Sequence, residues 1–257
     1  MKIVVCIKQV PDSAAKMAVE GGQVSWGEAP LVMNPWDEYA VEAALVLKEN
    51  ADAEVTAISV GGESAKDALK TALAMGCNQA ILISDPGLAG ADSQALARTL
   101  AAAIQKIGAV DLVFCGRQAI DTDLGVTTPQ TARTLGWPAL TQVSVITGLA
   151  DGVIKVERTT EEGRQVVESK LPAVVSVGKD IGEPRYPSFM GIRKAAKAEI
   201  PSWSLADLGA SPLISVVRWP EIMNPPTREV KTEIISGDSP EDIAAKLADK
   251  ILAEKVL

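Results

Sequence analysis

The densest chemistry in the chain lies in Gly116-Arg117-Gln118-Ala119-Ile120-Asp121-Thr122-Asp123-Leu124-Gly125-Val126-Thr127-Thr128, which runs into Pro129. Two carboxylates, a glycine and two vicinal hydroxyls precede a helix start. Thr128 is a capping type and Pro129 suits a first helical position, so unpaired amides nearby are placed to receive a phosphate. The same residues also build an ordinary capped turn, and the stretch is neither a Walker A loop nor a GxGxxG fingerprint. Asp121 and Asp123 have the spacing of a metal pair or an acid–base couple, but aspartates in turns more often cap or orient the loop that carries them.

Other nucleophiles and ligands are sparse. The 257 residues include no histidine, which removes Ser-His and Cys-His mechanisms and every His-ligated metal site. Cys6, Cys77 and Cys115 form no CxxC pair and sit in or beside apolar runs, as inert core thiols do. Ser59-Val60-Gly61-Gly62-Glu63-Ser64 faintly resembles the pyrophosphate-gripping loop of ATP-cleaving synthases. Val60, however, separates the serine from the glycines, and Glu63 directly precedes Ser64. Any redox or transfer chemistry here is therefore expected to come from a cofactor.

Composition narrows the partners. Lys plus Arg number 25 against 33 Asp plus Glu, a formal charge of −8, which argues against nucleic acid or an anionic membrane as the main partner. No run approaches the roughly 18 to 20 apolar residues of a membrane span. Met1 to Ile7 is too short for a signal h-region. The expectation is a cytoplasmic protein without direct membrane insertion.

Elements must bring these residues together. Lys2–Ile7, Glu54–Val60, Gln79–Ser84 and Asp111–Gly116 are short apolar runs of the kind that form buried parallel strands. Helices are predicted between them: one opening at Asn34-Pro35, with Asn34 as cap and Asp37 and Glu38 favouring the dipole, one over Ser64–Met75 and one over Ser93–Ile107. Single helices between strands give a doubly wound, mostly parallel α/β sheet. Beyond Trp137, Gln142–Leu149, Val153–Thr160 and Arg164–Ser169 read as alternating strands with a hairpin at Glu161-Glu162-Gly163, and Ala173–Val177 rejoins the main sheet. Residues 1–200 form the expected nucleotide-binding domain. Residues 201–257 form an arm: an extended connector over Ser202–Thr227, then an amphipathic helix from Ser239-Pro240-Glu241-Asp242 to about Lys255. In such a sheet, ligands bind outside the carboxyl ends of the strands at the switch in strand order.

Several separate motifs, in order, carry a family. They are Val4-Val5-Cys6-Ile7-Lys8-Gln9-Val10-Pro11-Asp12, Met33-Asn34-Pro35-Trp36-Asp37-Glu38, Thr71-Ala72-Leu73-Ala74-Met75-Gly76, Gly116 to Asp121, Gly136-Trp137-Pro138, Glu183-Pro184-Arg185-Tyr186-Pro187 and Ile192-Arg193-Lys194-Ala195. Over nearly its whole length the chain resembles the β subunit of electron transfer flavoproteins. The resemblance implies a Rossmann-like sheet of the adenine nucleotide alpha hydrolase type. It also implies an electron carrier rather than an enzyme with its own substrate, working as a heterodimer with an α subunit that holds FAD. Electrons would come from flavin dehydrogenases and pass to a quinone oxidoreductase or another acceptor.

By position, the resemblance implies that Cys6, Asn34, Pro35, Trp36, Asp37, Val60 and Gly116 to Thr127 line an adenine nucleotide site. That site holds AMP as a structural ligand, or a second FAD in electron-bifurcating members. Leu124-Gly125-Val126 departs from the polar segment of AMP-binding members, whereas Arg117, Pro129 and Gln130 look more like bifurcating ones; AMP is the expected occupant. Tyr186-Pro187-Ser188-Phe189-Met190-Gly191-Ile192-Arg193-Lys194 matches the mobile loop that docks partner dehydrogenases, and the C-terminal arm would pack on the α subunit. Two other classes compete: a stand-alone nucleotide-hydrolysing or adenylating enzyme, which needs a complete phosphate loop, and a nucleotide-binding sensor module, which needs no arm.

Overall fold

Short β-branched runs and amphipathic helices alternate through the first half of the chain, and each takes the element that its pattern demands. The structure, a computed structural model, describes residues 1–210, 215–217, 219–226 and 232–254. In chain order come β1 (Lys2–Cys6), β2 (Gln9–Pro11), β3 (Ala18–Glu20), β4 (Gln23–Ser25), β5 (Leu31–Met33), α1 (Pro35–Ala51), β6 (Glu54–Val60), α2 (Lys66–Met75), β7 (Gln79–Ile83), α3 (Ser93–Ile107) and β8 (Leu112–Gly116). Then follow α4 (Thr127–Leu135), β9 (Ala139–Ala150), β10 (Val153–Thr160), β11 (Gly163–Lys170), β12 (Ala173–Val177), α5 (Phe189–Ala196), β13 (Ser202–Trp203) and α6 (Pro240–Ala253).

The main sheet has nine strands in the order β11-β10-β9-β12-β8-β1-β6-β7-β13. From β9 through β13 every neighbouring pair is parallel, while β9–β10 and β10–β11 are antiparallel and form the added hairpin. Side chains alternate across it. Ile3, Val5, Val55 and Ala57 pack in one core with α1 and α2, whereas Val4, Cys6, Ile58 and Val113 pack in the other with Leu100 and Ile104 of α3 and Ala132 of α4. Helices thus cover both faces, which is the doubly wound arrangement. The chain runs from β1 out to β6 and β7, then returns to place β8 on the other side of β1, so the switch in strand order falls between β1 and β8.

Several local expectations are corrected. Ser202–Trp203 is not connector but an edge strand, paired in parallel with Leu82 and Ile83. The Trp203 ring takes the Lys106 ammonium 4.7 Å from its centroid, and Leu205 is buried. The first compact unit accordingly extends past residue 200, to Ile222. Residues 211–214, 218 and 227 of the expected connector, and Lys255 at the expected helix end, lie outside the described residues. Helix α4 starts at Thr127 with Val126 as its cap, not at Thr128-Pro129, and Thr128 is buried instead. Strands β2 to β5 form two small antiparallel pairs unanticipated by periodicity; Gly21 and Gly22, both at positive φ, turn β3 into β4.

The second unit, Met223–Leu257, holds α6. Ser239 Oγ accepts from the Asp242 amide at 3.2 Å, Pro240 fills the first turn, and Lys246 pairs with Asp242 at 2.7 Å. No residue of α6 is buried, and Leu247 and Leu252 are exposed.

Candidate functional site

At the switch point the ends of β1 and β8 lie side by side, with Cys6 opposite Cys115. One carboxylate ties them to the start of α1. Asp37 Oδ2 accepts from the Lys8 amide at 2.8 Å and Oδ1 from the Gly116 amide at 3.1 Å. Asp37 is therefore not an exposed dipole partner. Burial pushes its carboxyl up to about 7 against the opposing pull of those two amides. Asn34 does not cap α1 with its side chain either. Its Nδ2 donates to the Gln118 carbonyl at 2.9 Å and its Oδ1 accepts from the Ile120 amide at 3.2 Å, so it clamps the loop after β8.

The loop is held at its far side as well. Lys8 Nζ reaches both oxygens of Asp121, at 2.8 and 2.7 Å, and Gln118 Nε2 donates to Asp123. These aspartates orient the loop. No group of three or more His, Cys, Asp or Glu side chains suited to a metal occurs among the described residues. Gly125 takes φ +63°, which a glycine adopts without strain. Gly116 has no room for a side chain: a Cβ there would stand 2.6 and 2.7 Å from the Trp36 carbonyl carbon and oxygen.

These elements enclose a cleft of about 450 Å³. Of the residues implied by the resemblance, Cys6, Asn34, Asp37 and Val60 line it, as do Gly116 to Ala119, Thr122 and Leu124 to Thr127; Pro35, Trp36, Ile120, Asp121 and Asp123 do not. At one side α4 begins without any side-chain cap, and Val126, Thr127 and Thr128 at its start line the cleft. Arg117, in the cleft wall, has its guanidinium 5.9 Å from the Trp36 ring centroid and no ion-pair partner among the described residues. Ile7 and Lys8, in the segment after β1 expected to reach this end of the sheet, also line it, and so do residues that sequence reasoning missed: Gly90 to Ser93, Leu96 and Leu100 around the start of α3, Cys115, and Val217 and Trp219. Ile7 and Lys8 lie within the first quoted motif; the others gave no local signal.

The remaining candidates behave otherwise. Ser59 is fully buried with no hydrogen-bond partner among the described residues, and Ser64 Oγ donates to Gln9 Oε1 at 2.8 Å. The Ser59–Ser64 stretch thus presents no serine pair to a phosphate. A hydrogen bond with Cys115, and then burial, raises the Cys6 thiol well above its ordinary range, and burial raises Cys77 to about 12. Neither is a thiolate near neutral pH.

A second surface is built on α1 and α2. Arg185 binds Glu42 through Nε and Nη2 at 2.8 and 2.9 Å and Glu49 through Nη1 at 2.5 Å, and its amide donates to Glu42 at 3.0 Å. The segment from Tyr186 to Lys194 then enters α5 rather than forming only a loop. Ser188 Oγ caps α5 at the Gly191 amide, and Gly191 packs so closely on α2 that a Cβ would fall onto the Ala74 carbonyl oxygen. Phe189 and Met190 remain 73% and 69% exposed, beside Arg193 and Lys194.

Relatives agree with this architecture. The family described as Electron transfer flavoprotein domain matches residues 27–208. The chain is 37% identical over 273 aligned residues to Electron transfer flavoprotein subunit beta of Megasphaera elsdenii, with all of both chains covered. It is 37% identical over 264 residues to Caffeyl-CoA reductase-Etf complex subunit CarD of Acetobacterium woodii, again with both covered in full. With Electron transfer flavoprotein subunit beta of Bacillus subtilis the identity is 33% over 260 residues, covering 99% of this chain and 98% of the relative. A match across the sheet, the switch-point cleft and α5, with relatives aligned end to end, means that the chain belongs to the electron transfer flavoprotein family, as a beta subunit.

Proposed function

We propose that this chain is the nucleotide-bearing half of a two-chain electron carrier. Its switch-point cleft holds an adenine nucleotide, and its α5 face docks the flavin dehydrogenases that deliver electrons. The observation that carries the reading is the cleft itself. It combines the uncapped start of α4, an Arg117 with no ion-pair partner among the described residues and a glycine-lined wall at the switch in strand order, where phosphate ligands of open α/β sheets bind. FAD bound with the α subunit would supply reversible electron acceptance; this chain supplies no redox group of its own. The quinone oxidoreductase, or another acceptor, lies downstream, and a cytoplasmic setting fits a chain in which no described helix is long and apolar enough to cross a membrane.

AMP, as a structural ligand, is the first reading: one phosphate on the α4 amides and a ring in the apolar part of the cleft. A second FAD, as in bifurcating members, is the alternative. It is favoured by Arg117, a cation in the cleft wall with no ion-pair partner among the described residues and suited to a second phosphate, and by the apolar Leu124-Gly125-Val126. The α6 helix, with none of its residues buried, is assigned to the α-subunit interface. The experiment is to co-purify the heterodimer, denature it, and identify and count the released nucleotides. One FAD with one AMP supports the first reading, two FAD the second, and no nucleotide beyond one FAD refutes both. Deletion of Ser239–Leu257 should weaken heterodimer formation on size-exclusion chromatography, and normal assembly would refute the role given to α6.

A further inference from the structure

A strap from far along the chain forms part of the cleft wall. Val217 and Trp219 line the cleft although the nearest sheet strand in sequence, β13, ends at Trp203. A single side chain holds the segment just before Trp219, at Val216 and Val217. Asp92 Oδ1 caps α3 at the Ala95 amide at 2.8 Å, while Oδ2 accepts from the Val216 and Val217 amides at 2.7 and 2.9 Å. The Asp92 amide in turn donates to Ser215 Oγ at 3.0 Å, and that hydroxyl reaches the Gly90 carbonyl at 3.3 Å. The clasp holds the Asp92 carboxyl below the usual carboxylate range through these amides, Ala95 foremost.

Electrostatics sorts the two helix starts that meet the cleft. The start of α3 already carries the Asp92 carboxylate, which uses its amide and opposes a second anion. The start of α4 has no side-chain cap, so it is the place for a phosphate. The wall of Leu96, Leu100, Val60, Val217 and Trp219 is then left for the apolar, planar part of a ligand. Trp219 is 71% exposed although it forms that wall. An indole so placed gains most by covering a flat ring, for which aromatic stacking is sequence-tolerant and strong.

We propose that Trp219 is a ligand-binding residue that stacks on the planar ring of the bound nucleotide, and that the Asp92–Ser215 clasp, by holding the strap, sets how fast that nucleotide leaves. This rests on the cleft being the nucleotide site. The test uses the purified heterodimer carrying its own nucleotide, chased separately with excess radiolabelled AMP and radiolabelled FAD, with exchange followed over time. Trp219→Leu should speed exchange roughly tenfold, the scale of one lost stack, and Trp219→Phe should restore most of the slow rate. Asp92→Asn keeps a competent helix cap but turns an amide donor toward the Val216 and Val217 amides, so it too should speed exchange while far-UV dichroism stays unchanged. Exchange at the wild-type rate in both Trp219→Leu and Asp92→Asn, in a heterodimer that does release nucleotide on denaturation, overturns the strap alone. A wild-type heterodimer that neither releases nor takes up nucleotide beyond one FAD overturns the nucleotide reading and the strap with it.

Discussion

Replacing Gly116 by alanine should damage fold and cleft together. The added Cβ would stand 2.6 and 2.7 Å from the main chain of Trp36 and would overlap Asp37 Oδ1. Carbon atoms pack best at about 3.5 to 4.0 Å, so β8 or the start of α1 must give by roughly 1 Å. Neither is loose: Asn34 and Asp37 bond the two elements together from both sides. Overpacking of this kind costs about 1 to 3 kcal/mol. The Asp37–Gly116 hydrogen bond, which would have to stretch, contributes about 1 kcal/mol more. For a unit of this size, each kcal/mol lowers Tm by about 2 to 4 °C. Thermal unfolding of Gly116→Ala should therefore begin about 5 to 15 °C below wild type, with nucleotide content reduced. Gly148→Ala is the control: its Cβ would meet Lys155 Cβ at an ordinary 3.8 Å, and it should stay within about 0.5 kcal/mol of wild type. A Gly116→Ala protein that melts with wild type and keeps its full nucleotide would refute this account of the switch point.

Three further outcomes are expected. Because burial raises the Asp37 carboxyl from 3.8 to about 7, the folded chain holds a proton between those pH values that the unfolded chain has lost; its stabilising contribution is full below about pH 4 and lost as pH rises to 7, by at most about 4 kcal/mol. Urea midpoints measured from pH 5 to 8 should show this fall in wild type and not in Asp37→Asn, and equal slopes would contradict it. Arg185→Lys should destabilise by about 1 to 2 kcal/mol, since lysine cannot reproduce the two-pronged grip on Glu42, and a chemical-denaturation midpoint equal to wild type would show that the pair contributes nothing. Phe189→Ala should raise the apparent KM for dehydrogenase-driven reduction by tenfold or more, the scale of roughly 2 kcal/mol at a hot spot, with flavin content unchanged; an unchanged KM removes α5 from partner recognition.

Much of the scaffold was legible in the sequence because it is written locally. The β-branched run Ala173–Val177 and the alanine-rich Ser93–Ile107 have the expected bounds, since five consecutive buried residues and a capped amphipathic period each admit one element. The cleft was less legible, because its residues answer to distant partners. Asn34 and Asp37 look like an ordinary helix start, yet their side chains are claimed by Gln118, Ile120, Lys8 and Gly116, which no local rule connects to them. Ser202–Trp203 is too short to show a period and is a strand only because β7 offers it an edge. Val217 and Trp219 line the cleft beside a segment whose Val216 and Val217 amides bond the Asp92 carboxylate, more than a hundred residues earlier, and nothing in their own neighbourhood marks them.

The place of β12 between β8 and β9 has a consequence for how the chain can be assembled. During synthesis, β8 is complete at residue 116, but its outer edge finds its partner only when Ala173–Val177 has been made. Until then, a wholly apolar strand at what will be the middle of the sheet offers unpaired amides and carbonyls, and the β9–β10–β11 ribbon has no strand through which to join. Open edges of this kind template aggregation. Fragments that stop short of residue 177 should therefore be the sticky ones, and fragments that reach just beyond it markedly less so. The shortest soluble piece of this protein is set by where its last interior strand arrives and not by where its cleft-forming motifs end.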